Sequence, residues 1–238
     1  MTATTLTSGK GAPPIYRTSI GKKVLMAVTG VYLVLWVIGH MLGNLKVFLS
    51  PKEINSYSEF LRRMGDPIFP HTWLLWIIRI LLIVALVLHV YLAIDLSVRS
   101  RRARQVRYHH PEHVQSDITD IPAVTMRWGG VAVGLFIIFH LAHLTWGWIH
   151  PGYTYVRGNV YQNVVGSFNQ WWLVVLYVAA MFALALHLYH GTWSIFQTFG
   201  TNNRRWDPIV RRTAATVAII VFLGFISVPL GVLAGVIS

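Results

Sequence analysis

Six histidines lie in stretches of the chain that are otherwise apolar: His40, His89, His140, His143, His187 and His190. The segment FHLAHLTWGWIH at 139–150 holds two of them, with His150 at its edge and no carboxylate nearby. An imidazole in so apolar a setting has two main uses, a hydrogen bond between helices or coordination of a metal. For a lone histidine the bridge is the simpler reading. Here four separate apolar runs each carry at least one, and a fifth carries none.

The elements that must hold these rings follow from hydropathy. The chain of 238 residues is 55% hydrophobic and 12% charged, against the roughly 25% charged residues of a soluble domain. Five runs reach the ~20 apolar residues that cross a bilayer. They lie near Val24–Leu49, Trp73–Leu96, Trp128–Trp148, Trp171–Phe199 and Ala214–Ile237. None alternates with period two, so helices are expected rather than strands. The sequence predicts an all-α integral membrane protein, one membrane domain over residues 1–238, with four of its five helices forming the histidine-bearing bundle. No internal repeat is evident, and the first apolar run is too long for a cleavable signal.

Cysteine is absent. That excludes disulfides, thiolate metal sites and haem attached through C-x-x-C-H. The formal net charge is +12, but its placement is topological. Most Lys and Arg fall in the tail 1–22, in the loop 97–127 and in the stretch around Arg204, Arg205, Arg211 and Arg212. With five spans these lie on one side, which the positive-inside rule makes cytoplasmic, with the C-terminus outside the inner membrane. The basic face suits anionic lipid or an acidic soluble partner, and no nucleic acid is expected. His109, His110 and His113 read as part of a solvated loop.

Depth sorts the histidines. With a rise of 1.5 Å per residue, His40 lies ~9 Å to the outer side of its helix centre and His89 ~9 Å to the inner side of its own. His140 is near its centre and His143 ~7 Å outward, while His187 is ~9 Å inward with His190 further in. The outer layer thus holds His40 with His140 or His143, and the inner layer His89 with His187 or His190. Two imidazoles at one height on opposing helices are what a bis-histidine haem requires. Two stacked, non-covalent b haems fit this pattern. Gly30, Gly43, Gly129, Gly130 and Gly134 would let backbone approach a flat macrocycle, or serve ordinary close packing. Arg79 lies within a span, where a guanidinium snorkels to the surface or pairs with an anion such as a propionate.

The stretches SIGKKVLMAVTG, GHMLGNL, LVLHVYLAIDLSVRSRRAR, FHLAHLTWG and LALHLYHGTWSIFQTFG, taken in order, resemble the five-span, di-haem cytochrome b anchor of succinate dehydrogenase and fumarate reductase, respiratory complex II. The resemblance runs from Ser19 to the end of the chain. It implies axial pairs His89 with His187 and His40 with His140. It leaves His143 and His190 as secondary residues that bond propionates, serve a quinone or bridge helices. It further implies a flavoprotein carrying FAD and an iron–sulfur subunit docked on the basic face. Electrons would pass from succinate through the clusters to a quinone, with menaquinone the usual partner of the di-haem form. Ser19 and Lys23 match the region some relatives use for quinone, and Glu59 and Asp66 lie in the outer loop where others place an acid. A higher oligomer is compatible with this family.

Two other classes compete. A cytochrome b of another quinone-linked oxidoreductase, of the type with two ligands on one helix four turns apart, would need a spacing that no span here has. A transporter relaying protons or metal through histidine generally needs acidic partners in its spans, and Asp95 at a helix end is the nearest to one.

Overall fold

The architecture is described from a computed structural model, which covers Pro14 and residues 17–103, 116–201 and 203–238; for 116–124 only the backbone is considered. Among these residues the chain forms seven α-helices: α1 Ser19–Asn44, α2 Pro51–Arg63, α3 Trp73–Ala103, α4 Ser116–His140, α5 Val160–Phe168, α6 Trp171–Thr198 and α7 Asp207–Leu233. Five helical segments are long and apolar enough to span a membrane, namely Ser19–Phe48, Trp73–Ala103, Thr125–Thr145, Trp171–Thr198 and Asp207–Leu233. The chain is therefore a multi-pass helical membrane protein.

Local signals set the ends. The Thr18 hydroxyl accepts from the Gly21 amide at the start of α1, and Ser50 does the same for Glu53 of α2, with Pro51 in the first turn. Such caps satisfy amides that have no partner within the helix. The α4 helix widens into a π turn over Leu141–Thr145, and the Trp146 amide bonds the Leu141 carbonyl.

Three features depart from the expectations raised by the sequence. The outer connections contain α2 and α5, which are too short and polar to register as spans. Both lie at the same end of the bundle and pack together, with Asn55 donating to Asn159 Oδ1 at 3.1 Å and accepting from the Tyr161 amide. The connection expected at 97–127 is partly helical, since α3 runs to Ala103 and α4 starts at Ser116. Arginine is a good helix former, and Arg99 pairs with Asp95 one turn back at 2.7 Å. Likewise α1 begins at Ser19, within the stretch 1–22 expected as tail. His109, His110 and His113 lie outside the described residues.

The third departure is an internal repeat. Aligned on their histidines, α1 and α4 match at Met26 and Met126, Gly30 and Gly130, Val31 and Val131, Leu35 and Leu135, Ile38 and Ile138, and His40 and His140. The paired helices α3 and α6 match at Trp73 and Trp171, Leu75 and Leu173, Ala85 and Ala183, Leu86 and Leu184, Leu88 and Leu186, His89 and His187, and Tyr91 and Tyr189. Each half is a long helix, a short helix and a long helix: α1–α2–α3 and α4–α5–α6. Within each half the long helices pack on each other, α1 on α3 and α4 on α6. The halves join through α1 and α6, and α7 packs along both. Among the described residues α3 and α4 hardly touch.

The core follows this asymmetry. Met41, Leu188, Ala218 and Val221 form a buried cluster where α1, α6 and α7 converge, while Val47, Ile54, Phe168, Tyr177, Val228 and Val232 form another toward α2 and α5. By contrast α3 buries only Leu92 and exposes Ile77, Ile80, Ile83, Val84 and Val87, as a lipid-facing helix does. Close helix approach is needed at Gly43, where a Cβ would sit 2.7 Å from Tyr57 Cε1 of α2. Gly39 has open space instead. Gly43→Val is expected to cost about 1–3 kcal/mol through overpacking and to lower the thermal unfolding midpoint in detergent, whereas Gly39→Ala should leave it unchanged or higher.

Candidate functional site

The histidines converge as two pairs between the two halves. The rings of His40 on α1 and His140 at the end of α4 have centroids 6.0 Å apart and planes at 84°. Those of His89 on α3 and His187 on α6 are 6.4 Å apart at 69°. Each pair joins a residue of one half to its counterpart in the other. The repeat therefore generates both pairs from one arrangement. Gly30 lies beside His89, with a Cβ there placed 3.4 Å from His89 Cε1, and Gly130 lies beside His187 in the same way at 3.5 Å. His40 and His140 each follow their glycine by ten residues, so the two pairs are stacked roughly 15 Å apart along the helices.

A metal bound between two imidazoles at about 2.0–2.1 Å from each nitrogen places the ring centres roughly 6 Å apart. Both pairs have that spacing. Among the described residues no group of three or more metal-ligating side chains gathers, so each pair offers two imidazoles and no third such side chain.

Hydrogen bonds constrain the tautomer of His89. Thr29 Oγ1 donates to backbone carbonyls of its own helix, at 3.0 Å from both Leu25 and Met26. Its oxygen therefore accepts the bond from His89 Nδ1 at 3.2 Å. A neutral imidazole that donates from Nδ1 keeps a lone pair on Nε2, the form that ligates metal. The residue matching Thr29 in the second half is Gly129, which has no hydroxyl to offer. In keeping with this, His187 Nδ1 is buried without a hydrogen-bond partner, the Met126 carbonyl lying near it outside bonding geometry.

In the other layer Tyr177 of α6 serves two rings. Its hydroxyl lies 2.9 Å from His143 Nδ1 and 3.3 Å from His140 Nδ1. One hydroxyl proton cannot go to both, so at least one of the two rings donates to the oxygen. A His140 ring that donates from Nδ1 keeps the lone pair on Nε2. Trp36 stacks on His40 at 4.9 Å, and its counterpart Phe136 lies 5.7 Å from His140. Phe225 of α7 closes the far side of His40 at 5.9 Å.

The other candidate residues separate from these pairs. His143 is fully buried at 0% exposure, among Phe139, Tyr153 and Tyr177. Its Nε2 lacks a partner, as does His190 Nδ1. In the repeat His143 matches Gly43 and His190 matches Leu92, so neither has a histidine counterpart. His150 bonds the Gly147 carbonyl at 2.9 Å at the helix end. Arg79 approaches none of the rings; it lies over Trp76 at 5.2 Å and lines a separate cleft. Ser19 and Lys23 are exposed at the start of α1, away from both pairs. Glu59 is engaged by Arg62, Arg63 and His71. Asp95, assigned no role from sequence, receives the buried Lys22 at 2.8 Å as well as Arg99, tying α1 to α3 at the basic end.

Sequence reasoning missed Tyr177 and Thr29. Tyr177 sits where the first half has Arg79, and a tyrosine beside a tryptophan pair reads as an interface anchor. The aligned halves would have drawn attention to both.

These features define a five-span helical membrane protein with two stacked, facing histidine pairs. Compared with known proteins, the chain matches no family model, no curated protein and no solved structure.

Tyr177→Phe should strand two buried imidazole nitrogens. The expected loss is about 1–3 kcal/mol, read as a lower unfolding midpoint in detergent, with no comparable loss for Tyr161→Phe, whose hydroxyl bonds only the exposed carbonyl of Ser238.

Proposed function

We propose that the chain is the membrane anchor and di-haem b electron-transfer subunit of a succinate:quinone oxidoreductase. The observation that carries this reading is the pair of facing imidazole sets, 6.0 and 6.4 Å between ring centres and stacked along one bundle. His89 and His187 would hold the haem nearer the basic end, and His40 and His140 the other. Haem supplies a reversible one-electron carrier whose potential its axial ligands and their hydrogen bonds help to set. The chain's own residues do the rest. Thr29 holds His89 in the ligating tautomer, Tyr177 bonds His140, Gly30 and Gly130 let the inner rings lie against a neighbouring backbone, and Trp36 and Phe225 exclude water from His40.

The basic end would receive the iron–sulfur subunit, with FAD on the flavoprotein beyond it. Arg99, Arg101, Arg102, Arg204, Arg205 and Arg212 are exposed there and would complement an acidic docking face. Electrons would then run along the stacked pairs to a membrane quinone, menaquinone being the proposed acceptor. The orientation that follows puts the N-terminus in the cytoplasm. A proton or metal relay through the histidines is disfavoured, because Asp95 is committed to Lys22 and Arg99.

The test is a reduced-minus-oxidised absorbance spectrum of the chain purified with its partners, together with haem quantification. Two b-type haems per chain are expected. His89→Ala should remove one of two potentiometric components and leave the other. Absence of a b-type signal would overturn the reading, and loss of both components together would overturn separate sites.

A further inference from the structure

A cleft of about 530 Å³ opens at the α2–α5 end, outside the histidine bundle. Its volume is within the ~300–1,000 Å³ of small-ligand sites. Three guanidinium groups line it, Arg62 of α2, Arg79 of α3 and Arg157 from the connection between α4 and α5, together with Trp76, Trp146 and Tyr155. Tyr155 is fixed there, donating to the Thr145 carbonyl at 3.0 Å.

The charges in this cleft do not balance. Arg62 pairs with Glu59 at 3.3 Å. That carboxyl is shared with Arg63 and His71, and Arg63 first and then Arg62 hold it below the usual carboxylate range. Arg79 has only the Trp76 face, and Arg157 has no ion pair or hydrogen bond with any described residue. Like charges gathered beside apolar walls repel one another unless an anion lies between them. The guanidinium fork suits a phosphate, which it can bind through paired N–H donors.

The level of the cleft decides where that phosphate comes from. Arg79 is six residues into α3, about 9 Å along the helix from Trp73, and the aromatic walls are of the kind that anchor at the lipid headgroup region. Below the cleft α3 exposes Ile80, Ile83, Val84 and Val87, an apolar track on which acyl chains can lie. A neutral quinone ring gives no reason for three arginines. A haem propionate is also a poor fit, since none of the histidines lines the cleft.

We infer that Arg62, Arg79 and Arg157 form a binding site for the phosphodiester headgroup of an anionic phospholipid, in the leaflet at the α2–α5 end. The lipid would bridge α3 to the α4–α5 connection on the side of the bundle where α3 and α4 barely meet.

The test is native mass spectrometry of the purified, delipidated protein with its partner subunits, titrated with phosphatidylglycerol or phosphatidylcholine. Phosphatidylglycerol should bind preferentially. Each basic side chain near an anionic headgroup contributes about fivefold, so Arg157→Gln should weaken retention about fivefold and the double variant with Arg79→Gln about 25-fold. Arg63→Gln, outside the cleft, should not. Equal binding of the two lipids, or undiminished retention in Arg157→Gln, overturns the site. Displacement of the lipid by an equal concentration of glycerol phosphate points to a soluble anion and overturns the lipid assignment. Loss of haem from Arg157→Gln with lipid binding intact points to a propionate and does the same. Because Arg157 is exposed in a loop, that single variant keeps the test available if the double variant does not fold.

Discussion

A polar ring at hydrocarbon depth has only protein to bond it, and this fold meets that demand for some of its imidazoles and not for others. Six imidazoles lie within the spans, where water is not on hand to bond their nitrogens. Two pairs face one another across the bundle, and the second ring nitrogens of His89 and His140 go to Thr29 and Tyr177. The bond to Thr29, whose own proton goes to backbone carbonyls, leaves the lone pair of His89 on Nε2. The orphaned Nδ1 of His187 marks where the two halves diverged, Thr29 having no hydroxyl-bearing counterpart.

The repeat explains why the pairs have similar dimensions. Two copies of a helix–short helix–helix unit, set face to face, bring each histidine opposite its own counterpart. A single unit presents one His on each long helix and can complete neither pair. Matching positions carry matching jobs: Gly30 and Gly130 beside the inner rings, Trp36 and Phe136 beside the outer ones. Where the copies differ, the differences are local. His143 replaces Gly43, so Tyr177 has a second imidazole to bond, while Gly43 itself receives the ring of Tyr57.

The spans were legible in the sequence because a run of about twenty apolar residues has few other uses. The depth sorting of the histidines was legible for a related reason, since helical rise converts residue number to height. The short helices α2 and α5 were not, because hydropathy windows suited to spans pass over segments like PKEINSYSEFLRR. The repeat was hidden for a physical reason: membrane helices draw on so few residue types that chance matches of Leu, Val and Ile are common. Only the co-registration of Met, Gly, aromatic and His in one half with the same set in the other lifts it above that background. Contacts between distant segments, such as Lys22 with Asp95, had no signature in spacing at all.

The seventh helix gives the assembly its sense of direction. It carries no histidine and has no counterpart in the repeat. Its buried residues Ala214, Ala218, Val221 and Val228 seat it along α6 and α1, and small residues there allow close approach; a Cβ at Gly224 would collide with Met41. Two identical halves alone would leave two equivalent seams. Helix α7 packs along the α1–α6 seam, and among the described residues no helix packs comparably along α3 and α4. The arginine cleft stands between Arg79 of α3 and the Thr145–Trp146 end of the third span. A headgroup held there would bridge α3 to the end of the third span.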